Sequence, residues 1–224
     1  MLTLQRLRIT FARDGGVRYL SHLEMMRAWE RVLRRAGWRL AYSQGFNPHP
    51  KLSFAAALPV GVAARAELLD VQLEEPRTLD SASAELSREM PQGLEVVDVR
   101  EVTVDAPPIQ RSIYAAEYTA LCPPGVLDAL IVETGRVLAA ASLPRGRARE
   151  GKIVEYDLRP MIQALEVGED GGLPAVRMRL RADAQGAGRA DEVLRELGLD
   201  PADCQITRTR LLLAQDQTSP LQDH

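Results

Sequence analysis

The sequence predicts an α+β fold of two tandem ferredoxin-like (βαββαβ) units with antiparallel sheets. Three observations carry this. Stretches of alternating apolar and polar residues recur, with stretches of helical periodicity between them. Their order, strand–helix–strand–strand–helix–strand, is the split βαβ pattern. The order runs once before and once after Asp105-Ala-Pro-Pro108, where the periodicity breaks. Identity between the halves is negligible, so the repeat rests on element order alone.

In the first half, Leu4–Arg13 alternates Leu4, Leu7, Ile9 and Phe11 with Arg6, Arg8 and Thr10, which predicts a strand. Asp14-Gly-Gly16 turns the chain. Ser21 and Glu24 have capping-box spacing and start a helix that stops at Gly37. Its apolar side is Met25, Met26, Trp29, Val32, Leu33 and Ala36. Trp38–Ser43 is expected as a short strand, and Lys51–Leu58 and Ala66–Leu73 as extended. Thr78–Met90 reads as a helix and Leu94–Val104 as a strand. In the second half, Ser112–Leu121 is a strand and Gly125–Ala141 a helix. Ile153–Val167 is extended with a bend at Pro160, and Ala175–Arg181 alternates. Arg189–Leu197 is a helix and Gln205–Leu213 the last strand. The units therefore fall at 1–104 and 112–213, with a linker at 105–111 and a polar, disordered tail at 214–224.

No apolar run reaches the roughly 18 residues that span a bilayer, and Met1–Arg8 lacks the core and cleavage site of a signal peptide. The expected location is cytoplasmic. Cys122 and Cys204 lie far apart in sequence, form no metal-ligand cluster and read as small buried residues. No phosphate loop, dinucleotide fingerprint or nucleophile elbow occurs, and neither a metal nor a cofactor is expected.

The densest chemistry is Tyr42-Ser-Gln-Gly-Phe-Asn-Pro-His-Pro-Lys51, placed between the second and third strands. Pro48 and Pro50 exclude helix, and Gly45 permits a sharp turn. The result is a stiff exposed loop presenting Gln44, Phe46, Asn47, His49 and Lys51. Amides and histidine can read base edges, Lys51 can meet phosphate, and Phe46 or Tyr42 can stack. The structural alternative is a rigid loop whose rings cover a sheet edge.

Net charge is −3, but residues 1–54 hold ten basic residues against three acidic, a surplus of seven that leaves the remainder at −10. Seven of the ten aromatics share that segment, a mixture suited to a polyanion with stackable bases. Arg27, Arg31, Arg34 and Arg35 lie on one helix side, able to track phosphates, to meet an acidic protein or simply to be solvated. Arg145, Arg147, Arg149 and Lys152 form a second basic segment in a flexible loop, Ser142–Lys152. His22 follows the helix cap, whose positive end favours the neutral imidazole. With His49 as acid and Tyr19 and Lys51 nearby, it could serve as base in metal-independent RNA cleavage; a non-catalytic His22 is the plainer alternative. Asp157 and Arg159 read as an ion pair at the interface of the halves.

Arg18-Tyr-Leu-Ser-His-Leu-Glu24, Ala41-Tyr-Ser-Gln-Gly-Phe-Asn-Pro-His-Pro-Lys-Leu-Ser-Phe54, Leu58-Pro-Val-Gly61, and Lys152 with Tyr156-Asp-Leu-Arg-Pro160 together resemble the radical-SAM-linked family. That domain occurs alone, or fused to or encoded beside a radical-SAM enzyme. The resemblance spans about residues 4–213 and implies a radical-SAM partner. A radical-SAM enzyme needs three closely spaced cysteines for its cluster, so two distant ones make this chain the accessory part. Tandem units of this kind are also similar in architecture to CRISPR repeat-processing endoribonucleases. The leading expectation is a non-catalytic accessory protein that binds structured RNA, transfer or ribosomal. The alternatives are an endoribonuclease using His22 and His49, and a docking module for the radical-SAM subunit that binds no RNA.

Overall fold

The computed structural model describes residues 4–149 and 152–214, with backbone only at 147–149 and 152–153. The chain divides into two compact units, Met1–Ser112 and Ile113–His224. The fold is mixed α+β and mostly antiparallel, with four α-helices among the described residues.

In the first unit, β1 (Gln5–Arg13) is central. The helix α1 (His22–Arg35) follows, then β2 (Leu52–Phe54), β3 (Ala63–Leu73), α2 (Leu79–Glu89) and β4 (Leu94–Val102). Pairing is antiparallel throughout in the order β4-β1-β3-β2. Leu7, Ile9 and Phe11 of β1 and Leu69, Val71 and Leu73 of β3 share one core with Met25, Trp29, Val32 and Leu33 of α1 and Ala82 and Leu86 of α2. Trp29 is wholly buried, its ring centroid 4.9 Å from that of Phe11 at 66°. The expected cap is present: the Ser21 amide donates to the Glu24 carboxylate (2.8 Å), and the Glu24 amide to Ser21 Oγ (3.3 Å). The Ser21 hydroxyl and amide hold the Glu24 carboxyl below the usual range. At the other end Gly37, at φ 71°, lets the Trp38 amide reach the Leu33 carbonyl and close the helix.

The other face of β1 is not a wet face. Arg6 and Arg8 are buried, and both guanidiniums grip one buried carboxylate, Asp70 of β3. Arg8 Nε and Nη2 reach its two oxygens at 2.7 and 3.0 Å, and Arg6 Nη2 reaches Oδ2 at 2.6 Å. Arg6 also donates to the carbonyls of Ala106 and Pro107. Segment 105–111 thus packs on the first unit, with Ile109 fully buried.

Two expected elements differ. Trp38–Ser43 is not a strand: it makes single bridges, Leu40 to Leu73 and Tyr42 to Pro50, because the chain leaves the edge of β3 after Ala41. Lys51–Leu58 contracts to β2, since the chain bends at Ala55 and Ala56. The exposed loop therefore lies between α1 and β2, not between two strands.

In the second unit, β5 (Ile113–Leu121) and α3 (Leu127–Ala139) are followed by a hairpin, β6 (Pro144–Arg149) and β7 (Lys152–Asp157). Then come β8 (Ile162–Asp170), β9 (Leu173–Asp183), the two-residue β10 (Gly186–Ala187), α4 (Ala190–Glu196) and β11 (Gln205–Leu213). The order is β11-β5-β9-β8, again antiparallel. The extended run expected over 153–167 is split by a 3-10 turn at Arg159–Met161, where Pro160 supplies no amide. The basic segment expected to be a flexible loop is the β6–β7 hairpin instead. Its base is tied by Asp157, which accepts the amides of Leu143 (2.7 Å) and Arg159 (2.9 Å). These amides, Leu143 foremost, keep the Asp157 carboxyl below its usual range. The expected Asp157–Arg159 ion pair is not formed; the Arg159 guanidinium donates to the carbonyls of Leu138 and Ile162. The tail from 215 onward lies outside the described residues.

Replacing Asp70 with Ala removes one anion from between two buried cations. The expected loss is about 3–5 kcal/mol of unfolding free energy, read by urea titration against wild type. A loss within the scatter of surface substitutions would mean that the cluster is not structural.

Candidate nucleic-acid interface

The loop at 42–51 is an excursion from the edge of β3, and its neck is made of backbone. The Ala41 amide donates to the Gln72 carbonyl (2.9 Å), and the Gln72 amide donates to the Lys51 carbonyl (3.1 Å). The Lys51 amide closes the triangle on the Ala41 carbonyl (2.8 Å). One step further out, the Ser43 amide donates to the His49 carbonyl (2.9 Å) and the His49 amide to Ser43 Oγ (3.0 Å). Within this frame Gly45 takes φ 130°, a conformation open to glycine and costly for other residues. Phe46 stands wholly in solvent at the tip, with a relative exposure of 107%. Gln44, Asn47, His49 and Lys51 are exposed, and so is Tyr42. An unburied phenylalanine held on a tied loop is a ring available for stacking.

Arg27, Arg31, Arg34 and Arg35 are exposed on α1. At 1.5 Å rise per residue the row from Arg27 to Arg34 is about 10 Å long. Its end meets the loop: Arg34 Nη2 lies 3.5 Å from Tyr42 Oη. The basic surplus is smaller at the surface than in the sequence. Arg6 and Arg8 are held by Asp70, Arg13 donates to the carbonyls of Arg18, Pro59 and Val62, and Arg39 pairs with Glu75 at 2.6 Å. Arg35 stands 4.0 Å from Glu89. Among the described residues Arg27, Arg31, Arg34 and Lys51 make no ion pair.

His22 is exposed, and its ring packs edge-on against Phe54 at 5.4 Å; Phe54 in turn meets Phe11 at 6.0 Å. Tyr19 lies under the Arg18 guanidinium, 5.0 Å from its ring centroid, and its hydroxyl accepts from Arg18 Nη2 at 2.9 Å. No hydrogen bond or ring contact joins His22 to His49 among the described residues. In the second basic segment Arg145 is paired with Glu196, which also takes Arg136. The side chains of Arg147, Arg149 and Lys152 lie outside the described residues. No group of three or more metal-ligating side chains occurs among the described residues, and no helix there is long and apolar enough to cross a membrane.

A model of a family described as an uncharacterized protein conserved in bacteria, DUF2344, matches residues 6–190. The chain belongs to that family. No curated protein matches it. Among solved structures, the chain is similar to one titled crystal structure of a Cbf5-Nop10-Gar1 complex, at 14% identity and TM-score 0.47. The match covers 92% of this chain and 48% of that one, so the chain spans about half of the matched structure's length. A second, a putative glycine cleavage system transcriptional repressor, is matched at 11% identity and TM-score 0.27, over 94% of this chain and 98% of that one.

At the foot of the loop in this DUF2344 chain is a cleft of about 300 Å³ lined by Lys51, Ser53, Gln72, Arg6, Asp70 and Asp105. Sequence reasoning missed Asp70, Gln72 and Ser53. The signal was present for Asp70, a lone carboxylate in the apolar run Leu68-Leu-Asp-Val71.

Ser43→Ala removes the Oγ acceptor that holds the His49 amide. Amide exchange at His49 should accelerate severalfold with global stability almost unchanged. Unchanged exchange would show that the loop does not depend on that bond.

Proposed function

We propose that this protein binds structured RNA, transfer or ribosomal, through the arginine row of α1 and the 42–51 loop, as an accessory to a radical-SAM modifying enzyme. The observation that carries the reading is the Arg34–Tyr42 contact, which makes the cationic row and the ring-bearing loop one continuous surface. Phosphates would meet Arg27, Arg31, Arg34 and Lys51, and an unpaired base would stack on Phe46. The radical-SAM partner rests on the motif resemblance of residues 18–24 and 41–61. We read both units as ferredoxin-like βαββαβ modules, with β6–β7 inserted in the second. The shared strand order supports that reading.

Two observations bear on the rivals. Phe46, Tyr19, Leu23 and Val60 are exposed apolar groups, which favours docking on the radical-SAM subunit as the second reading. Co-purification with that subunit, insensitive to nuclease, would mark docking alone. The endoribonuclease reading stands behind both, because the contacts of His22 and His49 lead to different neighbours, Phe54 and Ser43.

Gel-shift titration with pooled transfer RNA at low salt should give a saturable complex. Arg31→Glu with Arg34→Glu should weaken it at least tenfold and flatten the salt dependence by about two counterions. No complex with any structured RNA at low salt would overturn the proposal.

A further inference from the structure

Cys122 and Cys204, distant in sequence, meet in the second unit. The strands β5 and β11 pair Ala120 with Ile206 and Leu121 with Gln205. The next position in that register sets Cys122 opposite Cys204. Neither amide donates across the pair: Cys122 donates to the Pro174 carbonyl (2.8 Å), and Cys204 to that of Pro201 (3.3 Å). Opposed residues that exchange no backbone bonds are the closer kind in an antiparallel ladder, with Cα atoms about 4.5 Å apart. A disulfide accepts Cα separations of about 4.4–6.8 Å. Both cysteines are free, and the Cys122 thiol donates to the Ala120 carbonyl at 3.5 Å. Cys122 is buried and Cys204 half-buried, so a reagent reaches the pair at Cys204.

We propose that Cys122 and Cys204 form a reversible thiol–disulfide site that clasps the end of β5 to the start of β11 when a small disulfide oxidant is present. The Cys204 sulfur attacks the oxidant, a mixed disulfide forms, and one reagent thiol leaves. The Cys122 sulfur then attacks Cys204, the intramolecular bond forms, and the second reagent thiol leaves. Two protein thiols are oxidised, one reagent disulfide is reduced, and both protons end on the reagent thiols. Cys122, opposite Cys204 in the continued register, is placed to attack the mixed disulfide, and its proton passes to the departing reagent thiolate.

The test uses the full native chain incubated with oxidised glutathione, then denatured for thiol counting and mass measurement. The expected result is loss of both thiols, a mass lower by two hydrogens, and one peptide pair linking Cys122 to Cys204. The melting temperature should rise by roughly 5–15 °C and return on reduction. Cys122→Ala should stop at a glutathione adduct on Cys204, which separates attack from resolution. Two thiols still present under excess oxidant, a stable glutathione adduct on the wild type, or crosslinks only between chains would each overturn the site.

Discussion

Both ends of the exposed loop hang on the backbone of one residue, Gln72. Its carbonyl holds the outgoing chain at Ala41, and its amide holds the returning chain at Lys51. Because Gln72 lies in β3, whose neighbours Val71 and Leu73 are fully buried, the neck inherits the rigidity of the core. Closing a short loop costs entropy, and Pro48 and Pro50 reduce that cost by restricting the unfolded chain. The composition of 42–51 would be a liability in a slack segment. Tied at Gln72, it holds Phe46 out in water.

The same strand organises the electrostatics. Asp70, two residues before Gln72, takes Arg6 and Arg8 out of the surface charge. Of the basic residues in 1–54, what remains for a partner is a narrower set: the α1 row and Lys51. A buried carboxylate between two guanidiniums contributes little net stability over an apolar trio, but losing it strands two cations. Arg8 lies directly opposite Asp70 in the β1–β3 register, so the cluster sits within the pairing that carries the neck.

Local signals were legible in the sequence where the structure is local. The capping box at Ser21 and Glu24, the stop at Gly37 and the apolar side of α1 are written within a few residues of where they act. The exposure of the 42–51 loop followed from its prolines and glycine. What could not be read depends on distant partners. Trp38–Ser43 looks like a strand until the chain is seen to leave β3. The β6–β7 hairpin is held at Tyr156 and Arg145 by Glu192 and Glu196, both far along the chain. The burial of Arg6 and Arg8 needs Asp70, and the meeting of Cys122 with Cys204 needs the β5–β11 register. The Arg34–Tyr42 contact, which gives the candidate site its unity, spans only eight residues, but it depends on how the chain turns between α1 and the loop.

The most direct measurement is photocrosslinking of bound transfer RNA to the full chain, with adducts mapped to residues by mass spectrometry. The account predicts adducts concentrated on Phe46 and Tyr42, lost when Phe46 is replaced by Ala while the fold stays intact. Adducts confined to the second unit, with none in 42–51, would contradict it.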